Sequence, residues 1–305
     1  MTVSRRDLLK SAGAGVGATV LGTAPGQAAR GEVAPRGDAM ALLYDATACI
    51  GCRACVVACA DVNGLEPDTA LTGGMYSMPL DLNARTKNII MLWRDEEKEQ
   101  YSFVKHQCMH CLDPACVSGC PFHALTKEEW GVVKWHGDLC IGCRYCEIAC
   151  PYDVPRFEWE SFNPKIIKCE LCDHRIAKGL EPGCTDVCPT AAVVFGRRDE
   201  LKTAGETRIA ENPGKYYQDH LYGTDDLGGT QVFYLATVPF ANLGLPERKE
   251  SAAHYGSKVH TTLYKWMLLP LTVFGLMATF IRRRWKIFEE EALREQQETG
   301  RPPQL

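Results

Sequence analysis

The pattern of apolar and polar residues predicts several short strands and one helix. Five apolar residues at 89–93 are typical of a buried strand, and alternation at 101–108 indicates a second strand after a polar turn. Further along, the apolar runs at 191–196 and 228–240 also favour strands. The charged stretch between them, at 197–212, has the composition of a helix. This combination of short strands with a helix predicts an α+β fold.

A longer apolar run lies near the C-terminus. Residues 261–281 contain a single charge, Lys265, and about 20 apolar residues are enough to cross a bilayer. A basic group follows directly at 282–286, which would place the tail, residues 282–305, in the cytoplasm. We therefore expect one C-terminal transmembrane helix at 261–281. A buried helix of a soluble protein is the alternative.

The N-terminus resembles a targeting segment. The sequence SRRDLLK contains a twin-arginine pair, and a weakly apolar run follows that ends in small residues near Ala28. An ordinary Ala/Gly helix is the alternative, but its many glycines disfavour it. Residues 1–28 are therefore expected to be a twin-arginine (Tat) signal that exports the folded chain to the periplasm. Thiols that fold in the reducing cytoplasm do not arrive as disulfides.

Charge and cysteine content narrow the class of protein. The chain has 305 residues and a net charge of −4, which argues against a nucleic-acid partner. It contains 16 cysteines, and disulfide scaffolds with so many are usually much shorter. The thiols therefore point to metal binding.

All 16 cysteines fall into four groups of four, with none left over. The four quartets are Cys49, Cys52, Cys55, Cys59; Cys108, Cys111, Cys116, Cys120; Cys140, Cys143, Cys146, Cys150; and Cys169, Cys172, Cys184, Cys188.

The first and third quartets have the C-x2-C-x2-C-x3-C spacing of bacterial ferredoxins. Gly51 and Gly142 would let the loop backbone approach a cluster closely. An all-cysteine zinc site needs two C-x2-C pairs and has no use for a third cysteine at that spacing, which disfavours zinc. His110 and His174 lie beside cysteines and are interpreted as hydrogen-bond donors rather than ligands. We predict four [4Fe-4S] clusters.

In two-cluster ferredoxins the fourth cysteine of a quartet ligates the neighbouring cluster. The second and third quartets are close in sequence and should pair, which leaves the first and fourth to pair around them. The predicted ligand sets are Cys49, Cys52, Cys55 and Cys188 (set 1); Cys59, Cys169, Cys172 and Cys184 (set 2); Cys108, Cys111, Cys116 and Cys150 (set 3); and Cys120, Cys140, Cys143 and Cys146 (set 4). The fold is expected to be two nested ferredoxin-like two-cluster modules, with the cluster domain at 29–195 and a partner-contacting wrap at 196–260.

The motifs resemble those of the iron–sulfur subunits of respiratory complexes, a family shared with molybdopterin oxidoreductases. Within it they are most similar to the iron–sulfur proteins of membrane-bound [NiFe] hydrogenases of the hydrogenase-2 type. ALLYDATACIGCRACVVAC, KHQCMHCLDPACVSGCP, CIGCRYCEIACPYDVP, GCTDVCPTAAVVFG and GGTQVFYLATVPFANLGLP carry this resemblance.

The resemblance implies an electron-transfer role rather than catalysis by this chain alone. The expected partners are the large and small subunits of a [NiFe] hydrogenase and an integral membrane subunit that reacts with quinone. The cluster domain would lie in the periplasm, at the inner membrane. The iron–sulfur subunit of a formate dehydrogenase, or of another molybdopterin oxidoreductase, is the alternative, as is a membrane-anchored zinc or scaffold protein. A signal together with an anchor favours the hydrogenase.

Overall fold

A computed structural model describes residues 35–66, 81–160 and 164–299. The predicted twin-arginine signal lies outside these residues. The described residues form nine strands, seven α-helices and four short 3-10 turns. The strands are β1 (Met40–Asp45), β2 (Asn88–Asp95), β3 (Gln100–Gln107), β4 (Leu125–Lys127), β5 (Val133–Trp135), β6 (Arg156–Phe157), β7 (Ile166–Ile167), β8 (Val193–Arg197) and β9 (Val232–Leu235). The helices are α1 (Ala54–Val62), α2 (Ala115–Ser118), α3 (Tyr145–Ala149), α4 (Asp173–Ile176), α5 (Gly183–Asp186), α6 (Arg198–Glu211) and α7 (Ala252–Thr299).

A three-stranded sheet in the order β8-β1-β9 organises the core. Strand β1 pairs antiparallel with β8 and parallel with β9. Because successive side chains of a strand point to opposite faces, Leu42 and Tyr44 pack toward the cysteine-rich core. Leu43 joins the second core cluster together with Leu201 of α6. The sheet therefore separates the cluster-bearing side of the molecule from α6.

Three antiparallel hairpins complete the described strands: β2-β3, β4-β5 and β6-β7. Both predicted strands around 89–108 are confirmed, with the polar segment between them forming the turn. The hairpin β4-β5 fills the interval between the second and third quartets. A third core cluster contains Leu125, Phe157 and Ile166 together with Cys116 and Cys146. The hairpins β4-β5 and β6-β7 therefore supply apolar surroundings for these two cysteines.

The predicted boundary between residues 195 and 196 falls inside β8. Residues of the predicted wrap supply α6 and β9, and the fully buried Tyr222, Phe233 and Phe240 belong to the core. The hydroxyl of Tyr234 in β9 donates a hydrogen bond to the carbonyl of Lys105 in β3. The segment after 196 is thus built into the cluster domain.

The C-terminal segment forms one continuous helix, α7, which includes Pro270. No helix among the described residues is long and apolar enough to cross a membrane, so the predicted transmembrane helix at 261–281 has no support in the structure. Thr272, Gly275 and Thr279 interrupt the apolar residues of this stretch.

Candidate iron–sulfur centres

Short helices carry many of the cysteines. Helix α1 carries Cys55 and Cys59 one turn apart, and α5 carries Cys184. Helix α1 packs against α5, and α2 packs against α3. The chain therefore brings the first quartet beside the fourth and the second beside the third.

One cavity is lined by Cys49, Cys52, Cys55 and Cys188. These are the four cysteines of set 1. Gly51 has a φ of +68°, a left-handed conformation that favours glycine, and its N–H donates to Cys49 Sγ at 3.4 Å. The loop thus turns a backbone donor toward sulfur.

A second cavity is lined by Cys120, Cys140, Cys143 and Cys146, the members of set 4. Gly142 repeats the conformation of Gly51, with a φ of +70°. The N–H of Ala124 donates to Cys120 Sγ at 3.3 Å. The two loops with ferredoxin spacing therefore have the same local architecture.

The cysteines of set 2 come together between α1 and α5. Asn63 Nδ2 lies 3.6 Å from Cys59 Sγ and 3.9 Å from Cys172 Sγ. Burial raises the pKa of the Cys59 thiol, and the charges of Cys169, Cys184 and Cys172 raise it further. All four cysteines of the set are thus close enough to interact.

The cysteines of set 3 are also neighbours. Burial raises the pKa of Cys111 well above its usual range, and the charges of Cys150, Cys108 and Cys116 act in the same direction. Burial likewise raises the pKa of Cys150 to about 11. Buried thiols at this density favour a polynuclear metal group, which holds them as thiolates and balances their charge.

Two buried nitrogen atoms without a hydrogen-bond partner among the described residues indicate whether the site fits an iron–sulfur cluster. His110 is fully buried, and its Nδ1 accepts the N–H of Val133 at 3.0 Å. The proton of the neutral ring is therefore on Nε2, which has no partner among the described residues. Arg144 lines the set 4 cavity, and its buried Nε also has no partner there. Both donors fit the sulfur atoms of a cubane cluster.

Electrostatic interactions between thiols indicate which sets are neighbours. Burial raises the pKa of Cys55 in set 1, and the charge of Cys184 in set 2 raises it further. Burial raises the pKa of Cys108 in set 3, and the charge of Cys169 in set 2 adds to this. Burial also raises the pKa of Cys116 in set 3, and Cys146 of set 4 acts in the same direction. Together with the packing of α1 on α5 and of α2 on α3, these interactions indicate the order 1-2-3-4.

The two outer sets reach the surface. Cys52 and Cys143 are the exposed cysteines among the 16. The isoleucines at matching positions of their loops, Ile50 and Ile141, are 60% and 61% exposed. An apolar side chain thus lies beside an exposed cysteine at each end of the series.

Three lysines lie among the cysteines and were not predicted as site residues. Lys105 and Lys168 are buried, and Lys127 is half-buried. Lysine is mostly a surface residue, so the sequence pattern does not predict this burial. His174, in contrast, is half exposed and bonds to the carbonyl of Val62 at 3.0 Å.

Comparison with known protein families shows which class of protein this chain belongs to. Residues 48–124 and 99–198 each match a 4Fe-4S dicluster domain family. The chain is therefore an iron–sulfur protein with two dicluster domains, and its 16 cysteines are consistent with four [4Fe-4S] clusters.

Two groups of curated proteins are similar to it over most of their length. The hydrogenase-2 operon protein HybA of Escherichia coli O157:H7 is 39% identical over 322 residues, covering 93% of this chain and 96% of that protein. The formate dehydrogenase-O iron-sulfur subunit of Escherichia coli K12 is 35% identical over 250 residues, covering 80% of this chain and 81% of that protein. The chain belongs to the HybA family of iron–sulfur proteins, which is related to the formate dehydrogenase subunits.

Proposed function

We propose that the chain relays electrons between a periplasmic [NiFe] hydrogenase and a membrane subunit that reacts with quinone. The observation that carries this proposal is the linear series of four cysteine sets with an exposed loop at each end. Similarity to HybA over 93% of the chain supports a hydrogenase complex as its setting. The hydrogenase would contribute its large and small subunits.

The proposed ligands are the four sets defined above, each holding one [4Fe-4S] cluster. A cluster supplies one-electron transfer at its site. The protein holds the thiolates, donates N–H groups to sulfur, as Gly51 and Ala124 do, and keeps water away from the inner sets. The buried cysteines of sets 2 and 3 suit internal positions of a relay.

The exposed loops support a role as contact points for redox partners. Ile50 and Ile141 offer apolar surface directly beside Cys52 and Cys143. A partner that packs on either isoleucine would exclude water and bring its own redox group near an outer cluster. One end would serve the hydrogenase and the other the quinone-reactive subunit.

The periplasmic face of the inner membrane is the proposed location. The twin-arginine sequence at Arg5 and Arg6 supports export of the folded, cluster-loaded chain. Association with the integral membrane subunit would hold it there. Replacing both arginines by lysine should leave the chain in the cytoplasm, as measured by cell fractionation, whereas unchanged fractionation would contradict the proposed export route.

A formate dehydrogenase complex is the second candidate, favoured by 35% identity over 80% of the chain. To separate the two, we would purify the chain from native membranes in mild detergent under anaerobic conditions. Iron and acid-labile sulfide would be measured first, and hydrogen- and formate-dependent dye reduction would then be compared on the same sample.

Co-purifying hydrogen-dependent activity would support the hydrogenase relay. Formate-dependent activity alone would move the chain to the second candidate while retaining the clusters. A preparation without acid-labile sulfide would contradict both, since zinc sites contain none.

A further inference from the structure

Lys105 lies in the wall of the set 1 cavity. It is 0% exposed, and it lines that cavity together with Tyr44 and Ile90. Its ammonium group donates to Gln107 Oε1, two residues along β3. The hydroxyl of Tyr234 in β9, a strand of the other sheet, donates a hydrogen bond to the backbone carbonyl of Lys105. The side chain is therefore fixed in position.

No carboxylate pairs with this ammonium group among the described residues, where each ion pair involves other cations. An isolated buried charge is strongly unfavourable unless another charge compensates it. Burial by itself lowers the pKa of Lys105, but the thiolates of Cys184, Cys55 and Cys169 outweigh it and leave the pKa raised. The cysteines are thus the counter-charge of this lysine.

These cysteines belong to two different sets. Cys55 is a member of set 1, and Cys184 and Cys169 are members of set 2. Burial raises the pKa of Cys55 and of Cys59, and the charge of Lys105 opposes this rise at both thiols. Lys127 and Lys168 act instead on cysteines of set 3. Lys105 therefore interacts electrostatically with cysteines of both set 1 and set 2.

We propose that Lys105 is the shared counter-cation of the clusters in sets 1 and 2 and raises both of their reduction potentials. The inference rests on the proposed function, since it takes the clusters to occupy these sets. Reduction adds one negative charge to a cluster, and a nearby buried cation stabilises the reduced form more than the oxidised form. Lys105 acts through the field at the clusters and is not a ligand.

The experiment compares Lys105→Met, which keeps much of the volume and removes the charge, with Lys105→Arg, which keeps the charge. Lys202→Met is the matched control, because Lys202 is a partly exposed lysine of α6 outside the cluster region. Each chain is purified anaerobically as its full complex, its iron and sulfide are counted, and its clusters are titrated potentiometrically with electron paramagnetic resonance detection.

In Lys105→Met we expect two of the four midpoints to fall, each by at least a tenfold change in the reduction equilibrium, which is about 59 mV for one electron. The other two midpoints of Lys105→Met should stay near the wild-type values. All four midpoints of Lys202→Met and of Lys105→Arg should also stay near them. If Lys105→Met loses two clusters while Lys105→Arg retains all four, the charge is again responsible.

Unchanged midpoints in a fully loaded Lys105→Met protein would overturn the inference alone. An equal shift of all four midpoints, a shift confined to one, or cluster loss in Lys105→Arg as well would also overturn it. A wild-type chain without clusters would overturn the proposed function and this inference together.

Discussion

Replacing Gly51 by alanine should weaken the set 1 site through two separate effects. The residue has a φ of +68°, and left-handed backbone costs an L-residue roughly 1–2 kcal/mol. A Cβ at this position would clash with two carbons of the Phe103 ring. That ring packs edge-on against Tyr101, with centroids 6.0 Å apart, and the Phe103 carbonyl accepts the Tyr44 hydroxyl at 3.0 Å.

Overpacking of this kind costs roughly 1–3 kcal/mol, which gives a total of roughly 2–5 kcal/mol for Gly51→Ala. Gly64 is the matched control. It lies just after helix α1, whereas Gly51 lies just before that helix, and its φ of +61° is also left-handed. A Cβ there would meet nothing within 4 Å in the described structure, so Gly64→Ala should cost only the backbone part, roughly 1–2 kcal/mol.

The assay is the rate at which cluster absorbance is lost in denaturant under anaerobic conditions, because cluster loss is irreversible. Each 1.4 kcal/mol of ground-state destabilisation should speed this loss about tenfold. Adding Phe103→Leu to Gly51→Ala should recover most of the overpacking cost, since the two side chains would be coupled. Equal rates for Gly51→Ala and Gly64→Ala, or no recovery in the double variant, would refute the reasoning.

Three shorter predictions follow from other contacts. Cys146→Ser should remove one cluster's share of iron and sulfide and abolish electron transfer from hydrogen to quinone, while hydrogen-dependent dye reduction by the catalytic partner persists; intact quinone reduction would contradict a relay. The hydrogen bond from His220 to Asp226, at 2.9 Å, raises the histidine pKa. Its stabilisation is therefore complete below about pH 6.5 and is lost as the pH rises through the raised value, and Asp226→Asn should flatten this pH dependence of the cluster-loss rate. Asp153 is 66% exposed where it pairs with Arg156, so Asp153→Asn should cost less than about 1 kcal/mol, whereas a larger loss in thermal unfolding would show that this pair is not screened.

Spacing alone predicted much of the site. The fourth cysteine of a ferredoxin quartet lies one helical turn from the third, and α1 places Cys55 and Cys59 in that relation. Such a helix joins two sets whatever surrounds it. Strands β2, β3 and β8 were equally predictable, because their apolar patterns are local.

Features that depend on tertiary packing could not be predicted in this way. The segment after residue 196 has no cysteine, and its place in the core follows from the pairing of β9 with β1 and from buried side chains such as Tyr222 and Phe233. Lys105 lies on a strand with alternating pattern, and its burial follows from Tyr234 and the cysteines around it, which are distant in sequence. The transmembrane expectation rested on composition, and the structure gave it no support.

The junction between sets 2 and 3 differs from the other two because, in the part of the chain that the structure describes, no short segment carries cysteines of both sets. Sets 1 and 2 share α1, and the third quartet links sets 3 and 4 through Cys146 and Cys150, four residues apart. Cys169 and Cys108 are far apart in sequence, and tertiary packing brings them close enough for the charge of Cys169 to add to the rise that burial causes in the pKa of Cys108. Lys168 lies at this meeting point, where its ammonium donates to the carbonyls of Val133 and Cys169. In the proposed relay, covalent spacing therefore fixes the outer two steps, whereas the middle step depends on packing around the buried Lys168.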